Sequence, residues 1–228
     1  MISAVIVAGG KGKRMGNDIN KQYIKIGGKE ILARTIETFN AIEDIDEIIV
    51  VSPEEEIQYC LDNIINCYGF KKVKKVVKGG KERQNSVYNG LKSCSDNTDI
   101  VIIHDGARPF VSKEIILRSI NEARENGACA VAVPMKDTVK IVDEKQFVID
   151  TPDRSRLYAV QTPQTFKYEI IVSAHNKALN ERIEATDDTK LIECIGGKVK
   201  IIEGSYLNIK ITTPEDLIFA EAIIKNMK

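Results

Sequence analysis

An α/β fold, with a mostly parallel sheet covered by helices on both faces, is what the sequence predicts, and three observations carry the prediction. Short apolar runs rich in β-branched residues, at 4–8 and 46–51, alternate with segments whose apolar residues recur at helical spacing, as at 29–39. Parallel strands need such crossovers, because a tight turn cannot return the chain to the same end of the sheet. The first run ends in Gly9-Gly10-Lys11-Gly12, and in open sheets of this kind ligands gather at the carboxyl ends of the strands. At 228 residues the chain is long enough for one sizeable core, so residues 1–228 are expected to form a single domain.

Taken in order, strand 4–8 leads into a turn whose open backbone N–H groups form an anion cradle, with Lys11, Lys13, Arg14 and Lys21 as cations beside it. A phosphate is the natural guest. The Walker pattern fails where it needs Gly-Lys-Ser/Thr and the chain has Lys13-Arg14-Met15; the dinucleotide fingerprint fails at Met15, its third glycine. A glycine turn with solvated lysines is the plain alternative. Helix 29–39, strand 46–51, helix 54–67, strand 73–77, helix 83–92 and strand 99–103 continue the alternation, and 128–135 is a further core strand.

Residues 136–159 break the pattern, with short β-like pieces at 138–142 and 147–150 around the polar turn Asp143-Glu144-Lys145-Gln146. They read as a hairpin arm projecting from the sheet. Such an arm needs a surface for its apolar positions, and a second copy of the chain supplies one, so a homodimer through the arm is expected. The stretch 161–166 reads as a connection to the next helix, Thr186-Asp187-Asp188-Thr189 as a helix cap before 190–194, and 198–202 as a strand. Lys210 falls inside an apolar strand, and Thr212-Thr213-Pro214 opens a final amphipathic helix.

Composition narrows the function. Thirty-three basic and thirty-three acidic residues cancel, leaving no global field for nucleic acid or an anionic membrane. The basic run 71–78 alternates with valine and lacks interleaved aromatics, as a solvated strand face does. Five cysteines, an odd number without Cys-x-x-Cys, read as reduced thiols; with no secretory leader and no bilayer-length apolar run, a cytoplasmic protein acting on small molecules is expected.

Two loops besides the first carry chemistry. In Gly79-Gly80-Lys81-Glu82-Arg83-Gln84-Asn85-Ser86, paired glycines, an arginine and a serine open a helix, either to contact a base or phosphate or simply as a polar cap. In His104-Asp105-Gly106-Ala107-Arg108, Asp105 stands at a strand's carboxyl end, where a carboxylate facing a triphosphate would hold Mg²⁺; an Asp105–Arg108 turn pair is the alternative. His104 reads as a hydrogen-bonded structural residue and His175 as part of an exposed helix. Arg154 and Arg156, returning from the arm, either bind anions or solvate a proline turn, and Lys210 either snorkels to solvent or meets an anion in a cleft.

Strand, glycine-rich loop, Arg14 and Lys21-Gln22 together resemble the pyrophosphorylase-like nucleotidyltransferases. With Gly79-Gly80 to Ser86, His104 to Pro109, Asp137-Thr138-Val139-Lys140, Asp153-Arg154, Gln161 to Gln164 and Asn208 to Thr212, the chain resembles from end to end the 2-C-methyl-D-erythritol 4-phosphate cytidylyltransferases. The resemblance implies a Rossmann-like fold of the nucleotide-diphospho-sugar transferase type, a dimer whose arm completes the partner's site, and transfer of a cytidylyl group from CTP to the polyol phosphate. It implies Ala8, Gly9, Gly10, Gly12, Gly80, Ser86 and Asp105 on the nucleotide, with Asp105 engaging Mg²⁺ or another divalent cation. Arg108, Thr138, Arg154 and Lys210 would take the acceptor, and Arg14, Lys21, Arg154 and Lys210 would act as catalytic cations. The chain departs from the family at Gly9 and Gly106, where Ala is usual, at Asn20, where Pro is usual, and at Lys81, where Asp is frequent; the last leaves base recognition by that side chain open. Two other readings stand beside this one: a ribitol 5-phosphate cytidylyltransferase with the same loop and arm, and a module that holds CTP or UTP without turning it over.

Overall fold

The computed structural model describes residues 1–9 and 20–227. In chain order these form β1 (Ile2–Val7), β2 (Lys25–Ile26), β3 (Lys29–Glu30), α1 (Ile31–Asn40) and β4 (Glu47–Ser52). Next come α2 (Ile57–Cys60), extended at its ends by a 3-10 turn and a π turn, β5 (Val73–Lys78), α3 (Arg83–Leu91), β6 (Ile100–Asp105), α4 (Lys113–Asn126) and β7 (Ala128–Pro134). The chain ends with β8 (Ile141–Val142), β9 (Val148–Asp150), β10 (Tyr158–Lys167), α5 (Tyr168–Glu181), α6 (Asp188–Cys194), β11 (Lys200–Glu203) and α7 (Pro214–Asn226).

Seven strands form one sheet in the order β11-β7-β10-β6-β1-β4-β5, parallel throughout except for β10, which runs against both neighbours. The expected α/β class, with a mostly parallel sheet and helices on both faces, is borne out. Alternation sends neighbouring side chains of one strand to opposite layers. Ile6, Ile48 and Ile102 pack with Ile36, Phe39 and Ile116 of α1 and α4, whereas Val5, Ile49 and Val101 pack with Val87, Leu91, Ile171 and Leu191 of α3, α5 and α6. A smaller cluster of Ile26, Ile31, Phe110, Ile211 and Ala220 seats α7. That helix starts at Thr213-Pro214 as its sequence predicts, and a Thr213–Asp216 capping box closes its first turn. Basic β5 is a half-exposed edge strand, and among the described residues no helix is long and apolar enough to cross a membrane.

Three expectations are corrected. Residues 161–166 are not a connection but the middle of β10, Tyr158–Lys167. Pro163 argues against a strand, yet the register shifts between Val160 and Gln164, so the proline sits where the ladder is already interrupted. Lys210 is not in a strand. Residues 204–212 are irregular; Ile211 is buried in the α7 cluster and its N–H donates to Ala107 O at 2.9 Å, so the alternating apolar residues only imitate a strand. Nor is His175 exposed: it is 1% accessible on the inner side of α5.

The arm is present as a β8–β9 hairpin whose turn is held by Asp143 Oδ1, accepting from the N–H groups of Lys145 and Phe147 at 2.9 Å each. Its apolar side chains stand in the open within this chain, with Phe147 69%, Val148 58% and Ile149 64% exposed.

Candidate active site

The carboxyl ends of the central strands converge as the fold class requires. Val7 is in register with Asp105, Gly106 N–H donates to Val7 O at 2.8 Å, and Ala8 N–H donates to Val51 O at 2.7 Å. Gly79 N–H reaches Ser52 O at 2.8 Å, which carries the second glycine turn to the same edge.

Ser86 joins the two turns. Its hydroxyl accepts from Gly80 N–H at 3.0 Å and donates to Glu82 O at 3.1 Å, while Glu82 and Asn85 form the capping box of α3. Ser86 is therefore not the cap. A Cβ on Gly9 would stand 3.5 Å from Ser86 Oγ, in ordinary contact, but one on Gly79 would stand 2.9 Å from that oxygen and one on Gly80 2.3 Å from Asn85 Cβ. Only glycine fits at 80 without a backbone shift. Ala8, Gly9, Gly80 and Ser86 are thus brought together, whereas Gly10, Gly12 and Arg14 lie outside the described residues.

Asp105, the last residue of β6, is the electrostatic centre. Lys210 Nζ lies 2.8 Å from its Oδ2, Arg83 Nε 3.4 Å from its Oδ1, and Arg108 Nε 3.6 Å from Oδ2. Burial pushes the carboxyl up, but Arg83, Lys210 and Arg108 together hold it far below the usual carboxylate range. The Asp105–Arg108 turn contact exists and is the longest of the three. Arg108 commits Nη1 to Asn208 O at 2.8 Å instead.

The segment carrying Lys210 is fixed from both sides. Buried Asn208 donates to Gln161 Oε1 at 3.1 Å and Thr162 O at 2.9 Å, and Thr162 Oγ1 accepts from Asp105 N–H at 3.0 Å. Lys21, in a 3-10 turn, donates to Ile211 O at 3.2 Å, next to Lys210. Its neighbour Gln22 is held by Glu56 at 2.8 Å. Asp105, Arg83, Arg108, Thr162, Gln164 and Lys210 face an open cleft of about 500 Å³.

Thr138 and Arg154 do not line that cleft. Both are exposed on the arm, where Arg154 Nη1 donates to Lys136 O at 2.6 Å. Sequence reasoning missed Asp188, whose carboxylate binds Arg83 Nη1 at 2.7 Å. The signal was the doubled acid at 187 and 188, since one aspartate is enough to cap a helix.

A magnesium ion can be tested against these donors. Among the described residues no three His, Cys, Asp or Glu side chains cluster for a metal, and the carboxylates lining the cleft are Asp105, Asp187 and Glu193, of which Asp105 pairs with Lys210. Magnesium is commonly held by one or two carboxylates with phosphate oxygens and water, so the residues suit an ion that arrives with a nucleotide.

Comparison with known proteins gives the family. The family model described as 2-C-methyl-D-erythritol 4-phosphate cytidylyltransferase matches residues 2–226. A protein of that name from Alkaliphilus oremlandii is 53% identical over 226 residues, 99% of this chain and 96% of the relative. One from Clostridium perfringens is 53% identical over 224 residues, 98% of this chain and 99% of the relative. The crystal structure of 4-diphosphocytidyl-2C-methyl-D-erythritol synthase from Anaerococcus prevotii superposes with a TM-score of 0.87 at 39% identity, covering 98% of this chain and 96% of that one. The 2-C-methyl-D-erythritol 4-phosphate cytidylyltransferase of Thermus thermophilus gives 0.80 at 30% identity, covering 99% and 100%. On full-length matches at this identity, the chain belongs to the 2-C-methyl-D-erythritol 4-phosphate cytidylyltransferase family.

Proposed function

We propose that the cleft beside Asp105 is where the chain transfers the cytidylyl group of CTP to 2-C-methyl-D-erythritol 4-phosphate, releasing pyrophosphate for isoprenoid synthesis. The observation that carries the assignment of the site is the gathering of Arg83, Arg108 and Lys210 on one buried carboxylate, at the strand edge that also carries Ala8, Gly9 and Gly79. An acceptor phosphate oxygen attacks the α-phosphorus as the bond to pyrophosphate breaks. The attacking oxygen is already anionic, so no side chain need form a covalent intermediate or remove a proton. Positioning and charge stabilisation suffice.

Gly80 and Ser86 take the cytidine, and Ala8, Gly9, Gly10 and Gly12 the triphosphate. Arg14 and Lys21 draw charge from the triphosphate. Lys210, 38% exposed while its partner is buried, is placed to exchange Asp105 for an arriving phosphate oxygen. Arg108 supports the acceptor side. Asp105 would hold Mg²⁺ together with phosphate oxygens, and the ion would supply neutralising charge. Thr138 and Arg154 serve the cleft of a second copy in a homodimer, a reading supported by the open apolar side chains at Phe147, Val148 and Ile149. Freely diffusing substrates suit a cytoplasmic enzyme.

Pyrophosphate release with each of four nucleoside triphosphates, with methylerythritol phosphate or ribitol phosphate as acceptor, tests the whole. CTP, Mg²⁺ and methylerythritol phosphate should be required together. Faster turnover with ribitol phosphate would make the chain a ribitol phosphate enzyme, undiminished turnover in EDTA would remove the metal, and no turnover would leave a nucleotide-binding module.

A further inference from the structure

A connected set of charges reaches the cleft from behind. Asp188, in the first turn of α6, is 1% exposed. Its Oδ2 accepts from Arg83 Nη1 at 2.7 Å, while the same guanidinium turns Nε to Asp105 Oδ1 at the longer distance of 3.4 Å. Asp105 Oδ2 then accepts from Lys210 Nζ at 2.8 Å. The order Asp188, Arg83, Asp105, Lys210 alternates in sign from the core to the cleft.

Helix capping does not explain the buried carboxylate, because Asp187 is the cap, accepting from Lys190 N–H at 3.0 Å. Asp188 is fixed for another purpose. Its N–H donates to Gln164 Oε1 at 3.0 Å, and His175 Nε2 stands 3.5 Å from its Oδ1 with the imidazole stacked on Tyr88 of α3, centroids 5.8 Å apart. Burying a carboxylate is unfavourable unless its partner is close, and here the partner is shared with the cleft.

The geometry of Arg83 suggests what the sharing does. A guanidinium prefers to fork two N–H groups onto one carboxylate. Held by Asp188, Arg83 reaches Asp105 with Nε alone and on one oxygen. Released, it could close on both oxygens and displace Lys210. We propose that Asp188 is a positioning residue of the transfer reaction: it keeps Arg83 from capturing Asp105, and so leaves Asp105 Oδ2 free to hold Lys210 at the cleft. This inference rests on the role proposed above for Lys210.

The test is a double-mutant cycle on turnover with CTP and methylerythritol phosphate. Asp188→Asn should lower kcat by about tenfold or more, the effect of one charge-assisted hydrogen bond, and leave the KM for CTP within about twofold. In a Lys210→Ala background the same substitution should change kcat by less than about twofold, because its target is gone. A general loss of structure would lower activity by the same factor in both backgrounds, and that result, or full kcat in Asp188→Asn alone, overturns the proposal. Should Asp188→Asn not fold, Asp188→Glu keeps the charge but moves it off Arg83, and the same comparison in the two backgrounds carries the same two outcomes. A Lys210→Ala protein with wild-type kcat would give a different signature, removing the role of Lys210 and this inference with it.

Discussion

Replacing His104 by glutamine should flatten the acid limb of the stability curve. His104 is fully buried in β6 with its ring on Phe39, centroids 4.9 Å apart. Nε2 lies 3.1 Å from Arg108 O, and since a carbonyl only accepts, Nε2 carries the proton. Nδ1 is buried without a hydrogen-bond partner, so a second proton there would have no acceptor. Burial, with the charges of Arg108 and Lys210, outweighs the carbonyl and Asp105 and lowers the pKa from 6.5 to about 4. The unfolded chain therefore binds this proton first as pH falls. Stability contributed by neutral His104 is complete above about pH 6.5 and is lost between there and about 4, roughly 2 kcal/mol by pH 5. Asp105 acts with the same sign in a lower window, because its contribution begins to disappear only below the unfolded carboxyl value of about 3.9. The amide of the substituted glutamine can still donate to Arg108 O but cannot titrate. Urea unfolding at pH 7.5, 6 and 5, followed by circular dichroism, should show the wild type losing about 2 kcal/mol more than His104→Gln over that range. A difference between the two proteins that stays constant from pH 7.5 to 5 would refute the reasoning.

Lys21→Ala should lower kcat by on the order of a hundredfold while the KM for CTP changes little; a rise in KM alone would make Lys21 only a binding contact. Gly80→Ala, whose new carbon would stand 2.3 Å from Asn85 Cβ, should weaken CTP binding in calorimetry, whereas Gly9→Ala, 3.5 Å from Ser86 Oγ, should bind normally. Equal affinity in the two variants would remove Gly80 from the cytidine site. Mixing inactive Lys21→Ala and Arg154→Ala chains should restore about a quarter of wild-type activity if the arm serves its partner, since half of the dimers then carry one whole site. No recovery in a purified mixed dimer would confine Arg154 to its own chain.

The parts of the molecule that obey one local rule were legible in the sequence. The doubly buried β1, the helix start at Thr213-Pro214 and the arm's Asp143 turn each follow from spacing and residue type. The parts that depend on a distant partner were not. A proline inside β10 reads as a break because nothing local reveals the bulge that receives it. Lys210 looks like a lysine in a strand because the fold of 204–212 is set by Asn208 on β10 and by Ile211 against the α7 cluster. His175 looks exposed because the partners that bury it, Tyr88 and Asp188, come from α3 and α6. Asp105 was found from its place at a strand end, but its three cations lie at 83, 108 and 210 and only one of them is local.

The reversed strand of the seven-stranded sheet, β10, explains why the arm and the cleft are neighbours. A helical crossover would take the chain from the carboxyl end of β7 back to the opposite edge of the sheet, as it does between the parallel strands. Here the chain instead leaves β7 at Pro134, runs through the hairpin and enters β10 at Tyr158, and the base is closed by Met135 N–H donating to Leu157 O at 3.0 Å. Both feet of the arm therefore stand on the edge where the parallel strands end. Because β10 begins where β6 finishes, its first seven residues deliver Gln161, Thr162 and Gln164 to the cleft beside Asp105, and Thr162 Oγ1 holds the Asp105 N–H. Reversing one strand thus does two things at once: it adds Gln161, Thr162 and Gln164 to the wall of the cleft, and it roots the arm within reach of chemistry that the arm's own tip does not touch.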